Sequence, residues 1–99
     1  MTEFKGFPTG KVKFYRLPEQ FYSELLPTIN NLDEMKVTLY ALWAMDQLEG
    51  DFRYLLRSDF SSDELFMQGM GTDPQSALDR GLQGCLIRGT LLSAVVPNE

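Results

Sequence analysis

The stretch VTLYALWAM, residues 37–45, contains nine residues in succession without a charged side chain. A helix on the surface of a domain has a charged stripe along its outer face, and this stretch has none. Asn31 stands where it can cap a helix, and Glu34 follows at the spacing of a capping box. The sequence therefore predicts a central helix that starts after Asn31, ends at Gly50 and is contacted on several sides.

Patterns on both sides of this stretch predict further elements. Residues 12–17 alternate apolar and polar side chains, which favours a short strand or an extended segment. Residues 18–28 predict a first helix, with a proline in its first turn and an aromatic and leucine face. Residues 52–56 predict a strand. A third helix is expected to start at Ser58 or at Ser61, the latter being the first residue of an S-x-x-E capping box.

A fourth helix is predicted over residues 73–88. Asp73 can cap it, a proline follows at its first position, and Gly89 suits the C′ position. Gly81 and Gly84 are expected to weaken this helix by roughly 1 kcal/mol each relative to alanine. Its buried stripe is predicted to consist of Ala77, Leu78, Leu82, Cys85 and Leu86.

The overall composition indicates one globular domain. The chain has 99 residues, of which 43% are hydrophobic and 23% charged, an ordinary globular balance. No run approaches the ~18 apolar residues that span a bilayer, and the first residues lack the apolar stretch of a secretory signal. Cys85 is the single cysteine, so an internal disulfide framework is excluded. These features predict a cytoplasmic protein without a membrane partner.

The order of the predicted elements suggests an architecture. After the N-terminal segment the order is helix, helix, strand, helix, helix and a last β-prone run at residues 90–96. This is the skeleton of a winged helix, in which the third and fourth helices form a helix-turn-helix. The sequence predicts a mainly α fold with a small β-sheet, winged-helix-turn-helix-like, with the final wing strand missing. Residues 1–11 are expected to form an irregular basic arm, and residues 12–99 the winged-helix-like domain.

Residues 17–60 carry a resemblance to a known family. The matching features are a Phe-Tyr-x-x-Leu-Leu helix from Phe21, a Leu-x-Glu-Met-Lys-Val-Thr-Leu-Tyr helix start from Leu32, and an Arg-Tyr-Leu-x-Arg strand from Arg53. The segment looks like the N-terminal winged-helix domain of DnaD-type primosome proteins, and residues 88–92 continue the resemblance more loosely. The motifs are largely core-forming, so they specify a fold better than an activity.

The resemblance implies a function as well as a fold. In DnaD-type proteins this domain is associated with self-assembly and with contacts to a replication initiator, while DNA binding belongs more to a separate C-terminal domain. The expectation is a non-catalytic assembly module in bacterial DNA replication, with a protein partner and a homo-oligomeric state. A piece of a longer protein and a stand-alone relative are both open readings.

Charge is distributed unevenly, and this bears on nucleic acid as a partner. Residues 1–16 carry four cations against one acid, a net charge of +3, whereas residues 17–99 carry five cations against thirteen acids, a net charge of −8. A body this negative repels phosphate, because each phosphate contact needs a cation to replace a counterion. Only the arm has the sign that suits nucleic acid.

The alternative reading is a winged-helix regulator that places the fourth helix in the major groove of DNA. Asp73 and Asp79 oppose it, because they would face the same phosphates. The candidate DNA contacts are Gln75, Ser76, Arg80 and Gln83 on the helix, Arg53, Arg57 and Arg88 on the predicted sheet side, and Lys11 and Lys13 in the N-terminal segment.

Residues that could support catalysis are scarce. The chain has no histidine, which is the commonest general base and metal ligand, and it has no P-loop motif. Acid pairs such as Asp63 and Glu64 are better explained as first-turn residues that favour the helix dipole. Cys85 and the aromatic residues Tyr40 and Trp43 are expected to pack in the core. Neither an enzyme nor a cofactor or metal site is predicted.

The last β-prone run suggests a route to self-association. It has no following strand to pair with, and an open strand edge invites pairing by another chain or by residues 12–17. The residues predicted for this edge are Leu91, Leu92, Ala94, Val95 and Val96.

Overall fold

The computed structural model describes residues 4–48 and 54–91, and these residues form a mainly helical fold. A short π-helical segment comes first, and four α-helices follow it. The segment spans Phe21–Leu25, α1 spans Leu32–Gln47, α2 spans Arg57–Ser61, α3 spans Glu64–Gln68 and α4 spans Pro74–Arg88. The mainly α class is thereby confirmed.

The predicted strands are not found in the part of the chain that the structure describes. Residues 12–17 carry no regular secondary structure, and neither do residues 54–56. Residues 52–53 and 92–96 lie outside the described residues. The reason at residue 56 is local: the backbone N–H of Leu56 donates to Oδ2 of Asp59 at 2.7 Å, so the end of the predicted strand serves as the N-cap of α2.

Helix α1 begins where the sequence predicts, but its fully buried positions lie on one helical face rather than on several sides. The side chain of Asn31 accepts a hydrogen bond from the backbone N–H of Glu34 at 3.0 Å, which confirms the cap. The helix ends at Gln47, ahead of the predicted stop at Gly50, which lies outside the described residues. Val37 and Ala41 on α1 are buried in a core with Phe60 of α2.

The prediction that Trp43 packs in the core is wrong, since its side chain is 41% exposed. The buried positions of α1 are Glu34, Val37, Thr38 and Ala41, which follow the three- and four-residue spacing of one helical face. Residue 43 lies two positions beyond Ala41, well around the helix from that face.

Helices α1 and α4 form the main packing pair, and they meet at the glycines of α4. A Cβ atom on Gly81 would lie 2.5 Å from Cγ2 of Val37 and 2.6 Å from the backbone oxygen of Asp33. The expectation that Gly81 and Gly84 only weaken the helix therefore misses their role, because the absence of a side chain at Gly81 permits the close approach of the two helices.

The predicted third helix is divided into α2 and α3. Asp63, rather than Ser58 or Ser61, caps α3 by accepting a hydrogen bond from the backbone N–H of Phe66 at 3.1 Å. The predicted start of α4 is confirmed, with Asp73 as N-cap and a proline in the first turn. Gly89 ends the helix with a φ of 87°, in the left-handed region that favours glycine.

The N-terminal segment before the first helical turn is irregular. Residues 4–18 have no regular secondary structure, and their side chains are exposed except for the half-buried Val12. Among the helices of the described residues, none combines the length and the apolar character needed to cross a membrane.

Candidate interaction surfaces

Three of the four arginines predicted to contact DNA, those that the structure describes, are engaged by carboxylates of the same domain. Arg57 donates to Oδ1 of Asp79 at 2.7 Å and to Oε1 of Gln75 at 3.1 Å, and Arg80 donates to Oδ2 of Asp33 at 3.1 Å. These pairs are exposed, so each stabilises the fold by at most about 1 kcal/mol. Their larger consequence is electrostatic: they place a negative charge beside each cation that a phosphate would need.

Arg88 has the most buried partner of the three. Its guanidinium donates to both carboxylate oxygens of Glu34, at 2.5 and 3.3 Å, and the Glu34 side chain is 5% exposed. The pairing raises the pKa of Arg88, with the hydrogen bond to Glu34 as the main cause. Glu34 thus turns its carboxylate to α4 instead of closing the predicted capping box. Arg88 is a structural residue of the α1–α4 pair.

The remaining predicted DNA contacts do not form one basic face. Gln83 is exposed on α4, while Ser76 is half-buried and donates its backbone N–H to Asp73. Lys11 and Lys13 are exposed in the irregular N-terminal segment. Arg53 lies outside the described residues. Within the described part of the chain, the exposed candidates are therefore divided between α4 and the arm.

The predicted self-association edge is only partly described. Leu91 is half-buried and packs against the core, and its backbone N–H donates to the oxygen of Cys85 at 3.3 Å. It therefore belongs to the C-terminal cap of α4 rather than to an open strand edge. Leu92, Ala94, Val95 and Val96 lie outside the described residues.

An aromatic cluster connects α1 to the short helices α2 and α3. The Tyr40 ring lies 5.3 Å from the ring of Phe60, 4.5 Å from that of Phe66 and 5.6 Å from that of Trp43, measured between centroids. The Tyr40 hydroxyl donates to Oδ2 of Asp63 at 2.7 Å. Burial, helped by the hydrogen bond to Asp63, raises the pKa of Tyr40 to about 12. The hydrogen bond from Tyr40 lowers the pKa of Asp63 in turn.

A cleft opens beside this cluster at the C-terminal end of α1. It has a volume of about 210 Å³ and is more apolar than polar. We call it the Trp43 cleft. The sequence prediction missed the cleft because it placed Trp43 inside the core. The position of residue 43, off the three- and four-residue spacing of the buried face, could have indicated that its side chain is exposed. The cleft is lined by Tyr40, Trp43, Ala44, Gln47, Leu48, Leu55 and Asp59.

The buried thiol of Cys85 has a structural partner inside the domain. Cys85 is buried, its thiol lies 3.3 Å from the Thr38 hydroxyl, and burial raises the pKa of the thiol above its ordinary value. A raised pKa keeps the thiol protonated, which is the unreactive form. Among the described residues, no group of three or more histidine, cysteine, aspartate or glutamate side chains is placed to hold a metal ion.

These features define a small helical domain with an ion-paired acidic body, an exposed aromatic cleft and an exposed basic N-terminal segment. No protein-family model, curated protein or solved structure matches the chain.

Proposed function

We propose that this chain is a non-catalytic protein-interaction module that works by self-association and by binding another protein. The observation that carries the proposal is the pairing of Arg57, Arg80 and Arg88 with carboxylates of their own domain. A DNA reader needs such cations free to replace counterions along the phosphate backbone.

Exposed aromatic side chains support a protein partner. Phe14 is 89% exposed, and Trp43, which is 41% exposed, lines the cleft. Aromatic residues are enriched at protein interfaces, because they bury a large area while losing little conformational freedom. A domain that presents several of them gains stability by covering them with a partner.

The biological setting of the proposal comes from the sequence resemblance. Residues 17–60 resemble the N-terminal winged-helix domain of DnaD-type primosome proteins, which supports a role in assembling a bacterial replication complex with an initiator protein as partner. The winged-helix form is part of this proposal. It rests on that resemblance and on the order of the helices, since the described residues contain no strand.

Two measurements on the same protein test the proposal. Size-exclusion chromatography with light scattering, over a wide range of protein concentrations, should give a mass that rises above the monomer. Fluorescence anisotropy with a labelled random-sequence duplex at low salt should give no saturable binding. The variant Arg80→Ala should behave as the wild type in both measurements.

Two results would count against it. Duplex binding that weakens steeply with salt and is lost in Arg80→Ala would favour a DNA-binding regulator that uses α4. A strict monomer at every concentration would overturn self-association.

A further inference from the structure

Two exposed features of the domain are complementary in shape and charge. One is the Trp43 cleft. The other is the Lys-Phe-Tyr-Arg sequence of residues 13–16, which we call the arm segment. We propose that the arm segment of one copy docks into the Trp43 cleft of a second copy, with Phe14 as the inserted side chain. The inference rests on the proposed function, since it names the surfaces through which the module self-associates.

The cleft has the dimensions and chemistry of a site for one aromatic ring. It is an open depression rather than an enclosed cavity, and its volume of about 210 Å³ leaves room for a phenyl ring. The Tyr40 and Trp43 rings form one side of it, and Leu48 and Leu55 add aliphatic surface. An incoming phenyl ring can therefore stack on aromatic faces and bury apolar area at the same time.

The charges around the cleft suit a cationic ligand. Asp59 lines it, and α1 ends beside it with no basic residue in its last turn. The C-terminal end of a helix carries a partial negative charge, which attracts a nearby cation. In the arm segment Phe14 lies between Lys13 and Arg16, so an inserted phenyl ring brings cations to this rim. A cation over the Trp43 face gains further attraction from the ring.

The arm segment is free to act as a ligand. Phe14 is 89% exposed, and Tyr15 is partly exposed. The segment has no regular secondary structure, so its docking breaks no helix or strand. Since the described residues of its own copy neither cover Phe14 nor fill the cleft, we assign the cleft to the arm of a second copy. Two copies that exchange arms bury two such contacts around one twofold axis.

Trp43 provides a direct probe, because it is the single tryptophan of the chain. Its emission maximum and its quenching by acrylamide should be measured on the full chain from low micromolar to near-millimolar concentration, with light scattering on the same samples. We expect a blue shift and reduced quenching that follow the rise in mass. In Phe14→Ala the spectral changes and the rise in mass should occur at concentrations higher by roughly tenfold, which is the loss of affinity expected for a truncated anchor residue.

Phe7→Ala is the matched control. Phe7 belongs to the same N-terminal segment and is as exposed as Phe14, but its immediate neighbours are Gly6 and Pro8 rather than a lysine and a tyrosine. It should associate and fluoresce as the wild type does. Both phenylalanines are exposed, so neither change removes core packing.

A mixing experiment separates exchange between copies from docking within one copy. Phe14→Ala retains the tryptophan and the cleft, whereas Trp43→Phe retains the arm and has no tryptophan. Adding Trp43→Phe, which supplies an intact arm, should shift the tryptophan emission of Phe14→Ala to the blue. Adding the double variant Trp43→Phe, Phe14→Ala, which supplies no Phe14, should leave that emission unchanged.

The possible failures point to different conclusions. A rise in mass with unchanged Trp43 emission and no effect of Phe14→Ala overturns the docking but leaves self-association intact. A strict monomer overturns both. A Trp43 signal that depends on Phe14 but not on concentration overturns exchange between copies and assigns the cleft to the chain's own arm.

Discussion

Tyr40 and Asp63 form a polar link at the edge of an otherwise apolar cluster. Oδ2 of Asp63 accepts from the Tyr40 hydroxyl at 2.7 Å, while its Oδ1 caps α3 by accepting from the backbone N–H of Phe66 at 3.1 Å. One carboxylate thus joins a side chain of α1 to the N-terminus of α3. Because α3 spans only five residues, its position depends on contacts of this kind.

Removal of the Tyr40 hydroxyl should therefore destabilise the domain modestly. We expect Tyr40→Phe to lower the free energy of unfolding by about 1 kcal/mol, the net value of one hydrogen bond to a charged acceptor in a half-exposed setting. Urea denaturation followed by circular dichroism measures it. Tyr22→Phe is the control, since Tyr22 is 72% exposed, and it should leave the midpoint unchanged.

The raised pKa of Tyr40 predicts a pH dependence. Its folded value is about 12 against an ordinary value of 10.0, so the folded state holds this proton more tightly than the unfolded state does. The contribution is fully present below pH 10 and is lost as the pH rises towards 12. The stability of the wild type should fall over that interval more than that of Tyr40→Phe. Equal slopes for the two proteins would contradict the assignment.

At acidic pH the same pair predicts that the stability of the domain decreases as the pH falls. The pKa of Asp63 is lowered in the folded state, chiefly by the Tyr40 hydroxyl, so its contribution is present above its ordinary pKa of 3.8 and is lost as the pH falls below it. Asp63→Asn should flatten the acid limb of the stability curve, which urea denaturation at a series of pH values measures. A curve parallel to that of the wild type would argue against a role for Asp63.

Among the elements, the α1–α4 pair determines the core, and its closest approach is at Gly81. Alanine there should gain helix propensity, about 1 kcal/mol. However, its Cβ would lie 2.6 Å from the backbone oxygen of Asp33, which cannot move away as a flexible side chain can. We expect a net destabilisation of about 2 kcal/mol for Gly81→Ala, in the range of overpacked cores.

Gly84→Ala provides the comparison within the same helix. Its Cβ would meet Oε1 of Glu34 at 3.0 Å, which is the end of a side chain. It should therefore cost clearly less than Gly81→Ala in thermal and urea denaturation. A stabilising Gly81→Ala would mean that the two helices do not cross as closely as the structure has them.

The ion pair between Glu34 and Arg88 also belongs to the element scale. Arg88→Met leaves the carboxylate of Glu34 buried without its cation, so we expect it to lower the free energy of unfolding, though by less than the loss from a fully buried pair because Arg88 is partly exposed. The double variant Glu34→Gln, Arg88→Met should be destabilised by less than the sum of the single variants. An additive result in this cycle, measured by urea denaturation, would show that the two side chains are not coupled.

For the whole molecule, the separation of charge between the N-terminal segment and the body has the longest reach. Residues 1–16 carry a net charge of +3 and the remainder −8, so two copies attract each other when the arm of one approaches the body of the other. The same distribution disfavours phosphate.

A charge reversal outside the docking segment tests this attraction between the arm of one copy and the acidic body of the other. Lys11→Glu should weaken self-association severalfold at low salt, because it lowers the charge of the arm without touching Phe14. The difference from the wild type should vanish near 1 M salt, where the Debye length falls to about 3 Å. Light-scattering titrations at two salt concentrations measure it, and a difference that persists at high salt would indicate a contact rather than steering.

Local signals were sufficient to place α1 and α4. The Asn31 cap, the uncharged run after it, the Asp73 cap and Gly89 each act within a few residues of their own position, and all of them are found in the structure where the sequence predicts them. The division of the third helix was not predictable in this way. Ser61 and Asp63 are both good caps, and the choice of Asp63 is favoured by the hydroxyl of Tyr40, which arrives from a helix 23 positions away.

The sequence by itself determined that this protein is a mainly helical domain with an acidic body and a basic N-terminal segment, because periodicity, caps and charge are properties of neighbouring residues. Only the tertiary structure decided that Arg57, Arg80 and Arg88 are paired with carboxylates, that Gly81 is a crossing point and that Trp43 faces a cleft. The pairs of Arg80 and Arg88 and the crossing at Gly81 depend on which face of α1 meets α4. The pair of Arg57 depends on how α2 meets α4, and the cleft depends on how α1 meets the residues around α2. These choices are made by packing between distant segments, and a local pattern contains no information about them.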